Sequence, residues 1–129
     1  MGGVGAGQDT KAVNQVLVAG IAQAVCEGLA LSEKLGLDAE RLLPTLMAGA
    51  ANSWFLEKRG ATMLRDEFRV GFKLSLLHKD LAIVRELAVA AGIDRSVIEK
   101  SLADYAKLMA EGHGDEDISA LIRLKRGQS

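Results

Sequence analysis

The chain is poor in proline, cysteine and aromatic residues. Among its 129 residues there are one proline, one cysteine and only 4% aromatic residues. A lone cysteine makes no disulfide framework, and Cys26 sits in an apolar stretch, so it reads as a small core residue in a reducing compartment. Neither sign of charge dominates: 16 Lys and Arg stand against 17 Asp and Glu, for a net charge of -1. That balance gives no electrostatic case for nucleic acid or for an anionic membrane surface. No spacing of histidine, cysteine and carboxylate suits a metal, and no histidine is placed to activate the cysteine. No stretch combines period-two alternation with β-branched enrichment, so strands are not expected. The opening MGGVGAG lacks both the basic region and the apolar core of a signal peptide, and a cytoplasmic protein is the expectation. The apolar run from Val16 to Leu31 reads as too short for a membrane span, and Gln23 and Glu27 interrupt it.

What is present is an apolar fraction of 49%, enough for one domain with a real core. The dominant stretch is Gly7 to Gly36, which reads as one long helix. Asp9 or Thr10 is expected to cap its start, and Gly36 to end it in a left-handed turn. Val16 to Leu31 is apolar on nearly every side, the pattern of a helix surrounded by other helices. Its head differs. Lys11, Asn14 and Gln15 share one face, which continues as Val18, Ile21, Val25 and Leu29. A lysine and an amide thus stand at the head of a stripe that is otherwise apolar. The alternating Gly3, Gly5 and Gly7 could suggest a dinucleotide loop, but no strand precedes them and no acidic residue follows at the end of a second strand, so a flexible lead-in to the helix is the better reading.

Five further helices are expected. Asp38 caps the second, with Pro44 inside it. Asn52 or Ser53 opens the third, which carries Trp54, Phe55, Leu56, Met63 and Leu64. Residues 65–71 form a charged loop. The fourth runs from about Phe72 to Ala91 and ends at Gly92. Asp94 caps the fifth, Arg95 to Glu111, whose broad apolar face includes Ile98, Leu102, Tyr105 and Leu108. Asp115 or Asp117 starts a last short helix, Ile118 to Leu124, and the tail KRGQS reads as frayed. With no repeat and no linker, the expected architecture is an all-α multi-helix bundle around a long buried N-terminal helix.

Two places have chemical potential. Lys11 lies near the positive end of a helix dipole. If it is also partly buried, both effects favour the neutral amine that proton transfer needs. The plainer alternative is a solvated lysine at a helix end. Asn14, one turn on, is placed to orient it or to bind a hydroxyl or carboxylate. The second place is FKLSLLHKDL, Phe72 to Leu81. On a helical wheel Leu74, Leu77, Leu81, Val84 and Ala88 form one apolar stripe, and Leu76, Ile83 and Leu87 another beside it. Ser75, His78, Lys79, Arg85 and Glu86 collect on the wet arc. Asp80 falls inside the apolar sector, where an unpaired carboxylate would be costly. Either a structural ion pair, for instance with Lys11, or a site residue facing a pocket explains it.

These two segments carry a resemblance. GAGQDTKAVNQVL resembles the GxGxxxKxxNN segment of the β-hydroxyacid dehydrogenases, the 3-hydroxyisobutyrate dehydrogenase family. FKLSLLHKDL resembles the same family's second C-terminal signature, and NSWFLEKRGATML and GHGDEDISALIRL are also similar. The resemblance covers essentially the whole chain, but only the family's C-terminal helical domain, without the N-terminal Rossmann domain. It implies an NAD(P)-dependent oxidoreductase acting on a small hydroxy acid. Lys11 matches the catalytic general acid/base. Asn14, Asp80 and Phe72 match substrate-contacting positions, and Lys79 matches a lysine that reaches the NAD or NADP cofactor. Gln15 replaces the second asparagine of the motif. The implied partners are the substrate, the chain's own Rossmann domain and further copies of the chain, as a homodimer or higher oligomer. A non-catalytic helical association module is the alternative. It gains if Lys11, Asn14 and Asp80 fail to share a cleft.

Overall fold

The computed structural model describes residues 5–127, in which the first helix, α1, runs Ala6–Lys34. No side chain caps its start. The N-cap is Gly5, a full turn ahead of the expected Asp9 or Thr10. Asp9 instead lies in the first turn, where a carboxylate favours the helix dipole. At the other end Gly36 takes φ 71, and the Leu37 N–H reaches back to the Ser32 carbonyl at 3.0 Å. A side chain at that left-handed position would be strained, which is why the helix ends there.

Helix α2 (Ala39–Met47) is capped by Asp38, whose Oδ1 accepts from the Glu40 N–H at 3.1 Å. Pro44 lies inside it and leaves the Glu40 carbonyl without its helical donor. Ser53, not Asn52, caps α3 (Trp54–Leu64), accepting from the Leu56 N–H at 3.0 Å. Helix α4 (Leu74–Ala91) begins two residues later than its apolar pattern suggests. Phe72 and Lys73 are drawn out of it because Lys73 pairs in an isolated antiparallel bridge with Asp117. Helix α5 (Ser96–Ala110) has Arg95 at its N-cap, and Asp94 accepts from the Ser96 N–H and hydroxyl one residue earlier. A 3₁₀ segment, Ile118–Leu121, is capped by Asp117 and runs into a single turn, α6 (Ile122–Lys125). Among the described residues there is no strand, and the fold is the expected all-α bundle.

Helix α1 is the spine. It packs on α3, α4, α5, α6 and the 3₁₀ segment. Ala19, Ala22, Cys26, Leu29 and Ala30 are its buried contacts, and small residues there let the neighbours approach closely. It is not surrounded, however. Val13, Leu17 and Leu31 are 61%, 60% and 58% exposed. The partner elements cover one half of the helix, and the apolar residues of the other half face outward. By length and composition alone, Gly7–Lys34 is long and apolar enough to cross a membrane, contrary to the reading from Val16 to Leu31. Its packing against five elements gives it the role of a core helix.

Helix α4 corrects the wheel in the same way. Leu74, Leu77, Leu81, Val84 and Ala88 are buried as expected, but Leu76, Ile83 and Leu87 are exposed. Ser75, His78 and Arg85, placed on the wet arc, are half-buried. For Arg85 the cause is α5, which packs extensively on α4 and takes it into a bidentate pair with Glu99 (2.8 and 2.9 Å). A wheel gives the angles between residues but not where the neighbouring helix lies. The α1–α5 contact likewise holds polar residues: Gln23 donates to Asp104 at 3.0 Å and to Ser101 at 3.3 Å, and both acceptors are buried. The C-terminal segment is anchored rather than frayed as far as residue 126. Lys125 pairs with Glu27, and Arg126 pairs with Glu33 and Asp66 and donates to the Met63 carbonyl. Gln128 and Ser129 lie outside the described residues.

Candidate active site

Lys11 and Gln15 stand one turn apart on α1, and Asp80 faces them from the middle of α4. All three line one cavity of about 390 Å³, closed on its apolar side by Ala12, Ile83, Val84 and Leu87. That volume is in the range of small-molecule sites. The Gln15 amide donates to Asp80 Oδ2 at 2.9 Å. Asn14 donates to the Gln15 carbonyl oxygen at 3.2 Å. The order of donors matters. With its oxygen held by Asn14, Gln15 presents its NH₂ to the carboxylate, so the three side chains form a directed relay across the α1–α4 seam.

The ion pair considered between Asp80 and Lys11 does not form; the partner of Asp80 is Gln15. Asp80 is half-buried, which a carboxylate tolerates with that hydrogen bond. Lys11 is exposed at the mouth of the cavity. Its ammonium is the one cation among the lining residues, against the carboxylates of Asp9, Asp80 and Glu86. The partial burial considered for it is not found among the described residues. Of the three residues expected to share a cleft, Lys11 and Asp80 do; Asn14 is exposed, does not line the cavity and touches the site only through Gln15. Lys79 is exposed and does not line the cavity, since one residue of helix turns it about 100° from Asp80.

Phe72 lies elsewhere. It lines a second cavity, of about 250 Å³, with Val18 and Ile21 of α1, Trp54, Phe55 and Arg59 of α3, and Asp117. Asp117 is the residue that sequence reasoning undervalued. It was expected only as a possible helix start, yet its side chain is 1% exposed and its two oxygens take five donors. Oδ1 accepts from the backbone N–H groups of Gly71 (3.0 Å) and Phe72 (2.9 Å). Oδ2 accepts from the Ser119 N–H (2.9 Å) and hydroxyl (2.6 Å) and from Arg59 Nε (3.2 Å). Burial pushes its carboxyl up, but the hydrogen bonds from Ser119, Phe72 and Gly71 outweigh that and hold it below its usual value. Asp117 thereby ties the approach to α4 onto the C-terminal segment. The available signal was the Asp117-Ile118-Ser119 spacing, a carboxylate two residues ahead of a hydroxyl at a helix start.

Cys26 is buried against Met63 and the Ser119 carbonyl, and burial pushes its thiol up to about 12. A thiol so far from ionising is no nucleophile. Among the described residues, no three histidine, cysteine or carboxylate side chains gather to hold a metal ion.

The chain resembles known oxidoreductases over nearly its whole length. Residues 5–125 match the family model described as NAD-binding of NADP-dependent 3-hydroxyisobutyrate dehydrogenase. The 2-hydroxy-3-oxopropionate reductase of Escherichia coli is 35% identical over 123 residues, which are 95% of this chain and 42% of that protein. An uncharacterized oxidoreductase of Shewanella frigidimarina is 35% identical over all of this chain and 45% of its own length. The solved structure of Mycobacterium tuberculosis 3-hydroxyisobutyrate dehydrogenase with L-serine superposes with a TM-score of 0.85 at 30% identity, over 98% of this chain and 45% of that one. The chain thus spans less than half the length of these relatives. Fold, matched segments and relatives agree: this chain belongs to the 3-hydroxyisobutyrate dehydrogenase family of NAD(P)-dependent oxidoreductases.

Proposed function

We propose that residues 1–129 are the C-terminal helical domain of a β-hydroxyacid dehydrogenase, and that the cavity at the α1–α4 seam holds a small hydroxy acid. The observation that carries this is the convergence of Lys11, Gln15 and Asp80, from segments 65 residues apart, on one cleft. In that reading the nicotinamide of NAD or NADP, bound mainly by a Rossmann domain, carries the hydride. This chain's residues do the rest. The Lys11 side chain takes the proton from the substrate hydroxyl as the neutral amine, or returns it to the carbonyl oxygen as the ammonium when the reaction runs towards the alcohol, and its exposed position at the mouth leaves room for the second domain to exclude water. Gln15 and Asp80 hold and orient the substrate, and Asn14 positions the Gln15 amide. Exposed Lys79 offers a cation to an anionic group of the cofactor, and its outward direction fits a group lying on another domain.

3-Hydroxyisobutyrate or its semialdehyde, 2-hydroxy-3-oxopropionate and L-serine, the small molecules named for the relatives, are the first substrates to try. The exposed stripe of Val13, Leu17 and Leu31 on α1 supports self-association into a homodimer or higher oligomer, and the buried Cys26 thiol suits a reducing cytoplasm. The test is chemical-shift mapping of the isotope-labelled chain with 3-hydroxyisobutyrate. Shifts centred on Lys11, Gln15 and Asp80 are expected. A binding surface elsewhere on the bundle, or none, contradicts the reading.

A further inference from the structure

The apolar residues that α1 turns outward form a palindrome. Val13 and Leu17 stand towards one end, Gly20, Ala24 and Gly28 in the middle, and Leu31 and Leu35 at the other. The steps between them are 4, 3, 4, 4, 3 and 4 residues. From either end the order is two large side chains, three small ones, two large ones. Each half repeats over 11 residues, a spacing that keeps to one side of an α-helix. Leu35, the C-cap, still has helical dihedrals. All are exposed except Gly20, which is half-buried beside Val97. No charged residue stands on the stripe, and a Cβ added at Gly28 would meet nothing within 4 Å.

A two-fold axis passing beside Ala24 sets this stripe against itself. Ala24 then meets Ala24 of a second copy, Gly20 meets Gly28, Leu17 meets Leu31 and Val13 meets Leu35, the reciprocal pairing of an isologous contact. Two crossing helices are nearest at the centre and diverge towards the ends, so small residues suit the centre and leucines the ends. Charge decides the direction. Asp9 lies in the first turn of α1 and Lys34 in the last, and both are exposed. An antiparallel pair brings the acidic end of one helix to the basic end of the other and opposes their dipoles. A parallel pair sets like ends together.

We propose that the open face of α1 is covered by α1 of a second copy, antiparallel and crossing at Ala24. The proposal rests on the reading that the chain self-associates, and it adds the face, the direction and the register. It also places the two sites. Lys11 lies 13 residues from Ala24 and about 140° around the helix from it. The two Lys11 clefts therefore open away from the contact, about 40 Å apart along the axis. Each keeps its room for a nucleotide-binding half.

Cysteine cross-linking reads the register, because a disulfide needs Cα atoms within about 7 Å. The native Cys26 is buried and stays out of the reaction. Under mild oxidation Ala24→Cys should give a linked dimer by itself. Leu17→Cys and Leu31→Cys should each stay unlinked alone, since like positions stand about 21 Å apart along the axis. Mixed together, these two variants should link at least about tenfold faster than either alone. A second measurement keeps the wild-type chain as reporter. A nitroxide on Lys34→Cys, mixed with isotope-labelled wild type, should broaden amides around Val13 and leave those around Lys34 sharp. Linkage of Leu17→Cys to itself, or broadening around Lys34, would show a parallel pair and overturn the proposal. Association without linkage at any of these positions would put the contact on another face; the proposal then fails while self-association stands. A chain that is monomeric in sedimentation leaves this face to another domain of the polypeptide, and both readings fail.

Discussion

The Gln15 side chain on α1 donates a 2.9 Å hydrogen bond to the Asp80 carboxylate on α4, and this bond closes the candidate site. Gln15 is the residue that departs from the family's KxxNN pattern. Its longer arm reaches across the seam, while Asn14 fixes the orientation of its amide.

Breaking this relay tests it. Gln15→Leu keeps the volume but leaves Asp80 half-buried without its donor, at a cost of about 1–3 kcal/mol. Asp80→Asn in the same background should recover part of that loss, because a neutral amide is cheaper to leave unpaired than a carboxylate. Urea denaturation of the two single variants and the double variant measures the coupling. Strictly additive losses would show that the bond contributes nothing.

The bundle and its helix count are written in the periodicity of the sequence, and Lys11 and Asp80 stand out because each breaks an apolar stripe. Which half of α1 stays open was not legible. Leu17 and Leu31 look like core, because only the positions of α3, α4 and α5 decide which side of an all-apolar helix is covered. Asp117 was hidden for a related reason. Its donors come from residues 59, 71, 72 and 119, and no local pattern announces a long-range cluster of backbone N–H groups. The late start of α4 follows from it, since residues 72 and 73 are held by the C-terminal segment.

Asp117 predicts how the fold responds to acid. Its carboxyl is held below the ordinary 3.8, so the bound network stabilises the folded state fully above pH 3.8 and is lost as pH falls through the lower folded value. Asp117→Asn should flatten the dependence of Tm on pH in that acid window. Asp117→Ala, which strands five donors, should cost about 3–5 kcal/mol at neutral pH. A wild-type slope retained in the Asn variant would contradict this account.

Cys26 predicts the alkaline limb. Its thiol is raised from 9.0 to about 12, so the folded chain keeps a proton that the unfolded chain gives up. Stability is unaffected by this group below pH 9 and declines from there towards pH 12. Cys26→Ser should remove this thiol's contribution to that decline, at the cost of placing a hydroxyl in the core. An aromatic disulfide reagent at pH 8 should label the native chain no faster than it unfolds. Rapid labelling of the folded protein would show that the thiol is accessible.

The open half of α1 predicts association. Sedimentation velocity should show a concentration-dependent dimer or larger species, and Leu17→Glu should shift it towards monomer with less than about 0.5 kcal/mol change in monomer stability, as for an exposed site. A chain that remains monomeric at high concentration would count against a homo-oligomer built on this face.

The role of Lys11 is the centre of the account, and the most direct measurement is turnover when the chain is joined to a dinucleotide-binding half. The upstream half of the Escherichia coli 2-hydroxy-3-oxopropionate reductase, fused ahead of residue 5, supplies it. Without that half the chain should show no NAD(P)H turnover with 2-hydroxy-3-oxopropionate or 3-hydroxyisobutyrate. With it, Lys11→Ala should lower kcat by about 10²–10⁴-fold with a modest change in KM, the range for loss of a general acid/base. Unchanged kcat in a folded Lys11→Ala fusion would contradict the account.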